Sequence, residues 1–251
     1  MKSRLGEIHY NTFGSKMIVS EYINSMKVKV IFPKYNNWES GYTTYSNIKK
    51  GNVKCPYEPR YCNVGYLGEG YSMSVNGKHT GAYRSWRNML ERCYNPKTQS
   101  KYPAYKYCKV CEEWLNFQNF AEWYYENYYT ITNERMHLDK DILVKGNKIY
   151  SPATCIFVPH RINSLFTKAN NIRGEYPIGV DYSKVMGKFE AKYSSKDKVV
   201  RLGYFDTPEE AFYQYKIFKE KYIKDIADEY KNKIPIELYE AMYNYKVEIN
   251  D

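Results

Sequence analysis

Apolar and polar positions alternate through residues 16–33, KMIVSEYINSMKVKVIFP. Met17, Val19 and Tyr22 precede a polar break at Asn24-Ser25, and Val28, Val30 and Phe32 then interleave with Lys27, Lys29 and Ile31. A period of two marks half-buried strands, so two strands joined by a turn are expected here. Gly14, Gly41, Gly51, Gly65, Gly68 and Gly70 punctuate the flanking chain, and residues 1–72 are expected to close into a small antiparallel β barrel. The stretch YSMSVNGKHTG lacks an apolar period and reads as a linker. From Tyr83 the period changes. Tyr83, Trp86, Leu90 and Tyr94 form one helical face, and Asn95-Pro96 ends it, because proline disfavours a helical residue before it. Asn116 suits the cap of a second helix carrying Phe117, Phe120, Trp123 and Tyr124.

Further on, Leu138 to Val144 is strand-like, Lys145-Gly146-Asn147 is a turn, and Cys155 to Val158 is again extended. Pro159 suits a first helical position, so a ββα unit is the economical reading. Three short alternations follow: Ile178, Val180 and Tyr182; Phe189, Ala191 and Tyr193; Val200, Leu202 and Tyr204. Their single apolar face needs a cover. The next helix offers one, opened by the capping box Thr207-Pro208-Glu209-Glu210 and striped by Ala211, Phe212, Tyr215, Phe218, Tyr222, Ile226 and Ala227. Lys188, Lys192 and Arg201 then fall on the solvent face of the sheet. Ile234 to Tyr245 reads as a last short helix entered through Pro235. The fold class is α+β.

Composition adds a partner class. The 251 residues suit two or three domains, and a hydrophobic content of 43% argues against disorder. The formal charge is +10, divided as +5, +6 and −1 between residues 1–75, 76–172 and 173–251. A basic surface of this kind is the footprint of a polyanion binder; a solvated basic face is the plain alternative. No run approaches the ~20 apolar residues of a membrane span. The N-terminal MKSRLGEIHYNTFG has no apolar core of a secretory signal, so a cytoplasmic setting with reduced thiols is expected. Cys108-x-x-Cys111 is half of a zinc site that Cys93 and Cys155 would have to complete; without a second close pair, buried thiols are expected instead of Zn²⁺. Trp86, Trp114 and Trp123 belong to the core, and Tyr124-Tyr125 and Tyr128-Tyr129 divide between core and surface.

GVDYSKVMGKFEAKYSSKDKVVRLGYFDTPEEAFYQYKIFKEKYIKDIA, within roughly residues 176–230, resembles the Apetala2-type DNA-binding domain. GKFEA, the turn Leu202-Gly203-Tyr204-Phe205-Asp206-Thr207 and the Glu-Glu-Ala helix start stand in that family's order. The resemblance implies a three-stranded sheet whose outer face enters the major groove of double-stranded DNA, with Lys188, Lys192 and Arg201 as its contacts. YRSWRNMLERCYN, VCEEWLNFQNF, LDKDIL and YSPATCIFVPHRIN, across residues 83–166, are similar to phage and mobile-element proteins related to HNH homing endonucleases. GSKMIVSEYI … YSNIKKGNVKCPY is similar to a small module that precedes such domains in phage proteins. The implied organisation is an N-terminal module at 1–72, an HNH-like domain at 80–170 and an Apetala2-type domain at 174–251, in a protein working in the cytoplasm of a bacterial host.

An HNH centre implies Mg²⁺ or another divalent ion that polarises a phosphate beside a general base. By that resemblance Asp139 takes the metal position and Asn163 the helix ligand, while Lys140 stands where the base is expected. A protonated lysine accepts no proton unless its pKa falls by several units, and Asp139 and Asp141 pull the other way. His137, two residues before Asp139 on one strand face, and His160, one helical turn before Asn163, are the candidate replacements. Three functions stay open. One is a DNA endonuclease or its inactive descendant, another a DNA-binding regulator that never cuts. The third is a phage counter-defence protein that grips a host protein through a nuclease scaffold. A Lys140 paired to a carboxylate favours binding without cleavage.

Overall fold

Met17 and Val19 on one strand and Val28, Val30 and Phe32 on the next all turn inward in the computed structural model, which describes residues 4–166, 175–194 and 199–249. The chain divides into two units, Met1–Asn127 with Lys148–Pro152, and Tyr128–Asn147 with Ala153–Asp251. In the first, β1 (Ile8–Tyr10), β2 (Lys16–Asn24), β3 (Lys27–Phe32) and β4 (Trp38–Glu39) form an antiparallel sheet in chain order. Ile48 of α1 (Tyr45–Lys49), Val53 and Cys55 complete its core. The expected barrel does not close. β4 is two residues long, and Gly51, Gly68 and Gly70 have φ of +69°, +64° and +140°, so they serve turns and not further strands.

The expected linker contains a small hairpin, β5 (Ser74–Val75) with β6 (Lys78–His79). Asn76 and Gly77, at φ +49° and +74°, make the turn, and Asn-Gly is the strongest short hairpin signal. α2 (Gly81–Tyr94) stops where Asn95 becomes extended, and the same Asn95 caps α3 (Pro96–Lys101) through its side chain. β7 (Lys109–Val110) leads to α4 (Phe117–Asn127), whose start is tied by Asn116 Oδ1 accepting from Gln118 N at 3.1 Å. Trp86, Trp114, Phe117 and Phe120 are buried, with Trp86 Nε1 donating to the Trp114 carbonyl at 2.7 Å. The chain then enters the second unit through β8 (Met136–Asp139) and returns for β9 (Ile149–Tyr150), which runs parallel to β7.

In the second unit β8 pairs antiparallel with β10 (Ile156–Pro159), with His137 opposite Val158 and Asp139 opposite Ile156. α5 (His160–Leu165) follows, so the ββα order forms. β8 ends at Asp139, well short of Val144, because the Asp139 side chain ties the next backbone amides into a turn. Pro159 is the residue before the helix and not its first member. β11 (Val180–Ser183), β12 (Lys188–Ser194) and β13 (Val199–Phe205) make a three-stranded antiparallel sheet under α6 (Pro208–Tyr230). Thr207 and Glu210 form the expected reciprocal cap. Pro235 again precedes its helix, α7 (Ile236–Tyr243). No helix among the described residues is long and apolar enough to cross a membrane.

One helix serves two cores. Ala211, Phe212 and Tyr215 of α6 pack on Val180, Ala191 and Tyr193 of the sheet. Further along, Ile223, Ile226, Ala227 and Tyr230 join Val158 and Ile162 of the ββα element, with Leu238 and Met242 of α7. At roughly 25 cal/mol per Å² of apolar surface removed from water, these shared contacts tie the sheet and the ββα element to one cooperative unit.

Candidate functional site

The sheet face turned away from α6 carries the three cations expected there. Alternation along β12 sends Phe189, Ala191 and Tyr193 to the core and Lys188, Glu190 and Lys192 outward. Each cation has a carboxylate neighbour. Lys188 Nζ lies 2.9 Å from Asp206, Lys192 Nζ 2.5 Å from Asp181, and Arg201 Nε 3.0 Å from Glu190 Oε1. The last pair is close without the directed geometry of a hydrogen bond, and Glu190 Oε1 is left without a donor. Each of these three cations therefore stands beside a carboxylate.

Tyr204 corrects one expectation. The register steps from Lys192↔Arg201 to Ala191↔Gly203, so Leu202 is an extra residue, and Gly203 stands at φ +135°. The bulge moves Phe205 into the core and leaves Tyr204 outside, opposite Glu190.

At the head of the ββα element, His137 and His160 meet. His137 Nε2 and His160 Nδ1 are 3.2 Å apart, with the rings tilted at 34°. The meeting follows from register: His137 faces Val158, and Pro159 delivers His160 at the start of α5. Tyr129 secures the hairpin by donating from its hydroxyl to the Phe157 carbonyl at 2.8 Å. Asp139 is occupied otherwise. Its Oδ1 accepts from Asp141 N at 2.9 Å and from Ile142 N at 2.8 Å. Burial and then the charge of Asp141 push the Asp139 carboxyl above the usual carboxylate range, against the pull of those two amides.

Lys140, one residue past β8, is buried, with Nζ 3.3 Å from Asp141 Oδ1. Its carbonyl accepts from Asn147 Nδ2 at 2.7 Å. Asn163 lies on α5, half-buried, and its carbonyl accepts from Phe166 N at 3.2 Å. The expected set thus contains a histidine pair, a turn-forming aspartate and a buried lysine. Asp139 and Asn163 have the hard oxygens a divalent ion prefers, and of the Asp139 carboxylate Oδ1 is the atom that accepts from the two amides. Among the described residues no three His, Cys, Asp or Glu side chains gather as a metal-binding group. All six cysteines are thiols, and Cys55, Cys93, Cys108 and Cys155 are buried.

Lys219 is a buried cation that the apolar stripe of α6 does not predict. It lies on the buried stripe of α6 between Tyr215 and Ile223, and its Nζ stands 4.8 Å from the Tyr193 ring centroid. Burial lowers its pKa to about 8. Its position four residues from both Tyr215 and Ile223 was the available signal. No protein family model matches this chain, and no curated protein or solved structure matches it.

Proposed function

We propose that the chain is a double-stranded DNA-binding protein of phage or mobile-element type. Its reading surface is the Apetala2-like sheet, and its HNH-like ββα element serves as frame and not as a cutting centre. The observation that carries this reading is the outer face of β11–β12–β13, with Lys188, Lys192 and Arg201 standing free of the core. Their carboxylate partners do not argue against it. Exposed ion pairs are worth about 0–1 kcal/mol, so phosphates can take the place of Asp181 and Asp206 at little cost. Groove-facing β ribbons hold DNA in this way, with cations on phosphates and the strand face on base edges. Lys140 beside Asp141 supports binding without cleavage, because an ammonium held by a carboxylate is no general base.

A metal-dependent endonuclease is the second reading, favoured by the 3.2 Å contact between His137 and His160 on the same element. Two assays on one preparation separate the readings. Duplex binding should weaken at least tenfold when Lys188, Lys192 and Arg201 become Ala together, and strengthen in Asp181→Asn with Asp206→Asn. Unchanged binding in both variants would remove the sheet as the interface. Plasmid nicking in Mg²⁺ or Mn²⁺ that Asp139→Ala abolishes would establish the second reading.

A further inference from the structure

Residues 92–111 hold Arg92, Lys97, Lys101, Lys106 and Lys109 and no Asp or Glu. The segment folds in short turns against α2. Asn95 Oδ1 accepts from Lys97 N at 2.9 Å, and Gln99 Nε2 donates to the Cys93 carbonyl at 2.5 Å. Lys106 N then donates to the Pro103 carbonyl at 3.0 Å, and Cys108 N to the Tyr105 carbonyl at 2.9 Å. Arg92 is spent inside, over the Tyr105 ring at 5.5 Å and beside Tyr150. The other four cations are exposed, and among the described residues none of them makes an ion pair. That distinguishes them from Lys188, Lys192 and Arg201, each beside a carboxylate.

Two exposed rings stand among these lysines. Tyr102 is 50% exposed and Tyr107 73%. Lys101 Nζ lies 5.3 Å from the Tyr102 centroid and Lys106 Nζ 5.7 Å from that of Tyr107. Lys97 and Lys101 are one helical turn apart on α3. An ordinary solvated surface mixes both signs of charge, which keeps it from attracting polyanions. Here twenty residues mix one sign with tyrosine. Unpaired ammonium groups release counterions when phosphates replace them, and exposed aromatic faces accept unstacked bases of any sequence.

We propose that Pro96–Lys109 is a contact surface for single-stranded nucleic acid, with Lys97, Lys101, Lys106 and Lys109 on phosphates and Tyr102 and Tyr107 stacked on bases. The surface belongs to the first unit and the sheet to the second, so this inference goes beyond the duplex reading and does not depend on it.

The test uses the full chain with three probes: oligothymidylate, a duplex, and phosphatidylserine-containing vesicles. Changing the four lysines to Gln should weaken oligothymidylate binding at least tenfold and reduce the slope of log K against log salt by about 3, at about 0.7 per phosphate contact. Tyr102→Ala with Tyr107→Ala should weaken it by about fivefold or more while leaving the slope unchanged. Both variants should keep the parent's melting curve, since the altered side chains are exposed. Three results would overturn the proposal: no oligothymidylate binding by the parent, an unchanged salt slope in the lysine variant, or no effect of the tyrosine changes. Loss of vesicle binding alone in the lysine variant would overturn it in favour of a lipid partner. The sheet variant Lys188→Ala, Lys192→Ala, Arg201→Ala should lose duplex and keep oligothymidylate, so the two readings fail separately.

Discussion

Lys219 Nζ lies 4.8 Å from the centroid of the Tyr193 ring, in the core that α6 shares with the three-stranded sheet. Tyr193 in turn meets Phe218 and Tyr222, at 5.5 and 5.2 Å between centroids, so the ammonium is packed among rings. The ring face offsets part of the lost hydration, but among the described residues no carboxylate pairs with it.

The consequence is a pH-dependent stability of known sign. Burial favours the neutral amine, which lowers the folded-state pKa to about 8 against an ordinary value of 10.5. Below the lower value folding carries the full penalty of the buried charge, and the penalty disappears as pH rises through that window. Lys219→Met should therefore stabilise the second unit at neutral pH by about 3 kcal/mol, with the difference from the parent shrinking above pH 8. Thermal melts of both proteins across this range check it. A constant difference would mean that Lys219 is not the titrating group.

Gly179 should tolerate no side chain. It stands at φ +78°, and an added Cβ would meet the Tyr215 ring at 2.1 Å. Tyr215 is buried in the sheet core. Gly179→Ala should cost at least about 2 kcal/mol, adding left-handed strain to overpacking. Gly187, at φ +63° with nothing within 4 Å, is the control and should cost only the strain. Chemical denaturation of the two variants gives the comparison; equal losses would mean that Tyr215 yields.

Helix α6 should couple the ββα element to the sheet. Ile223→Ala empties part of the core that also holds Val158 and Ile162, at a cost of about 2–5 kcal/mol. Amides of β8 and β10 should then lose as much hydrogen-exchange protection as those of β12. Protection lost only near α6 and α7 would make the two elements independent.

How much of this was legible follows the range of the determining interaction. The capping box of α6, the stop of α2 at Asn95 and the inward sides of β2 and β3 depend on neighbours within a few residues, and they stand as read. Tyr204 was misassigned because a period of two assumes unbroken register, and the bulge at Leu202 and Gly203 arises from pairing with β12. The barrel was inferred from glycines that mark turns equally well; closure depends on edge strands meeting, which no local pattern encodes. The sequence marks both His137 and His160 as candidates, but their meeting depends on the β8–β10 register. The inward course of Lys140 depends on where β8 ends, which the Asx turn at Asp139 sets against the strand-like pattern that runs on to Val144.

That course decides what Lys140→His should do. If a missing imidazole were the only defect of an HNH centre, restoring it would produce nicking. Position 140, however, is buried past the end of β8, while His137 and His160 meet at the head of the hairpin. Residue 140 lies in the buried turn after β8, beside Asp141, so the new ring would replace Lys140 there and not join the strand that carries His137. It would also leave the Asp141 carboxylate without its 3.3 Å ammonium partner. Lys140→His should accordingly produce no plasmid nicking in Mg²⁺ or Mn²⁺, lower the melting temperature of the second unit, and retain duplex binding below that temperature. General-base assistance is worth about 10²–10⁴ in rate, so a restored base would be plain on a gel. Nicking by Lys140→His that disappears in the Asp139→Ala background would show that the centre lacks only its base, and would replace the binding-only reading with an endonuclease.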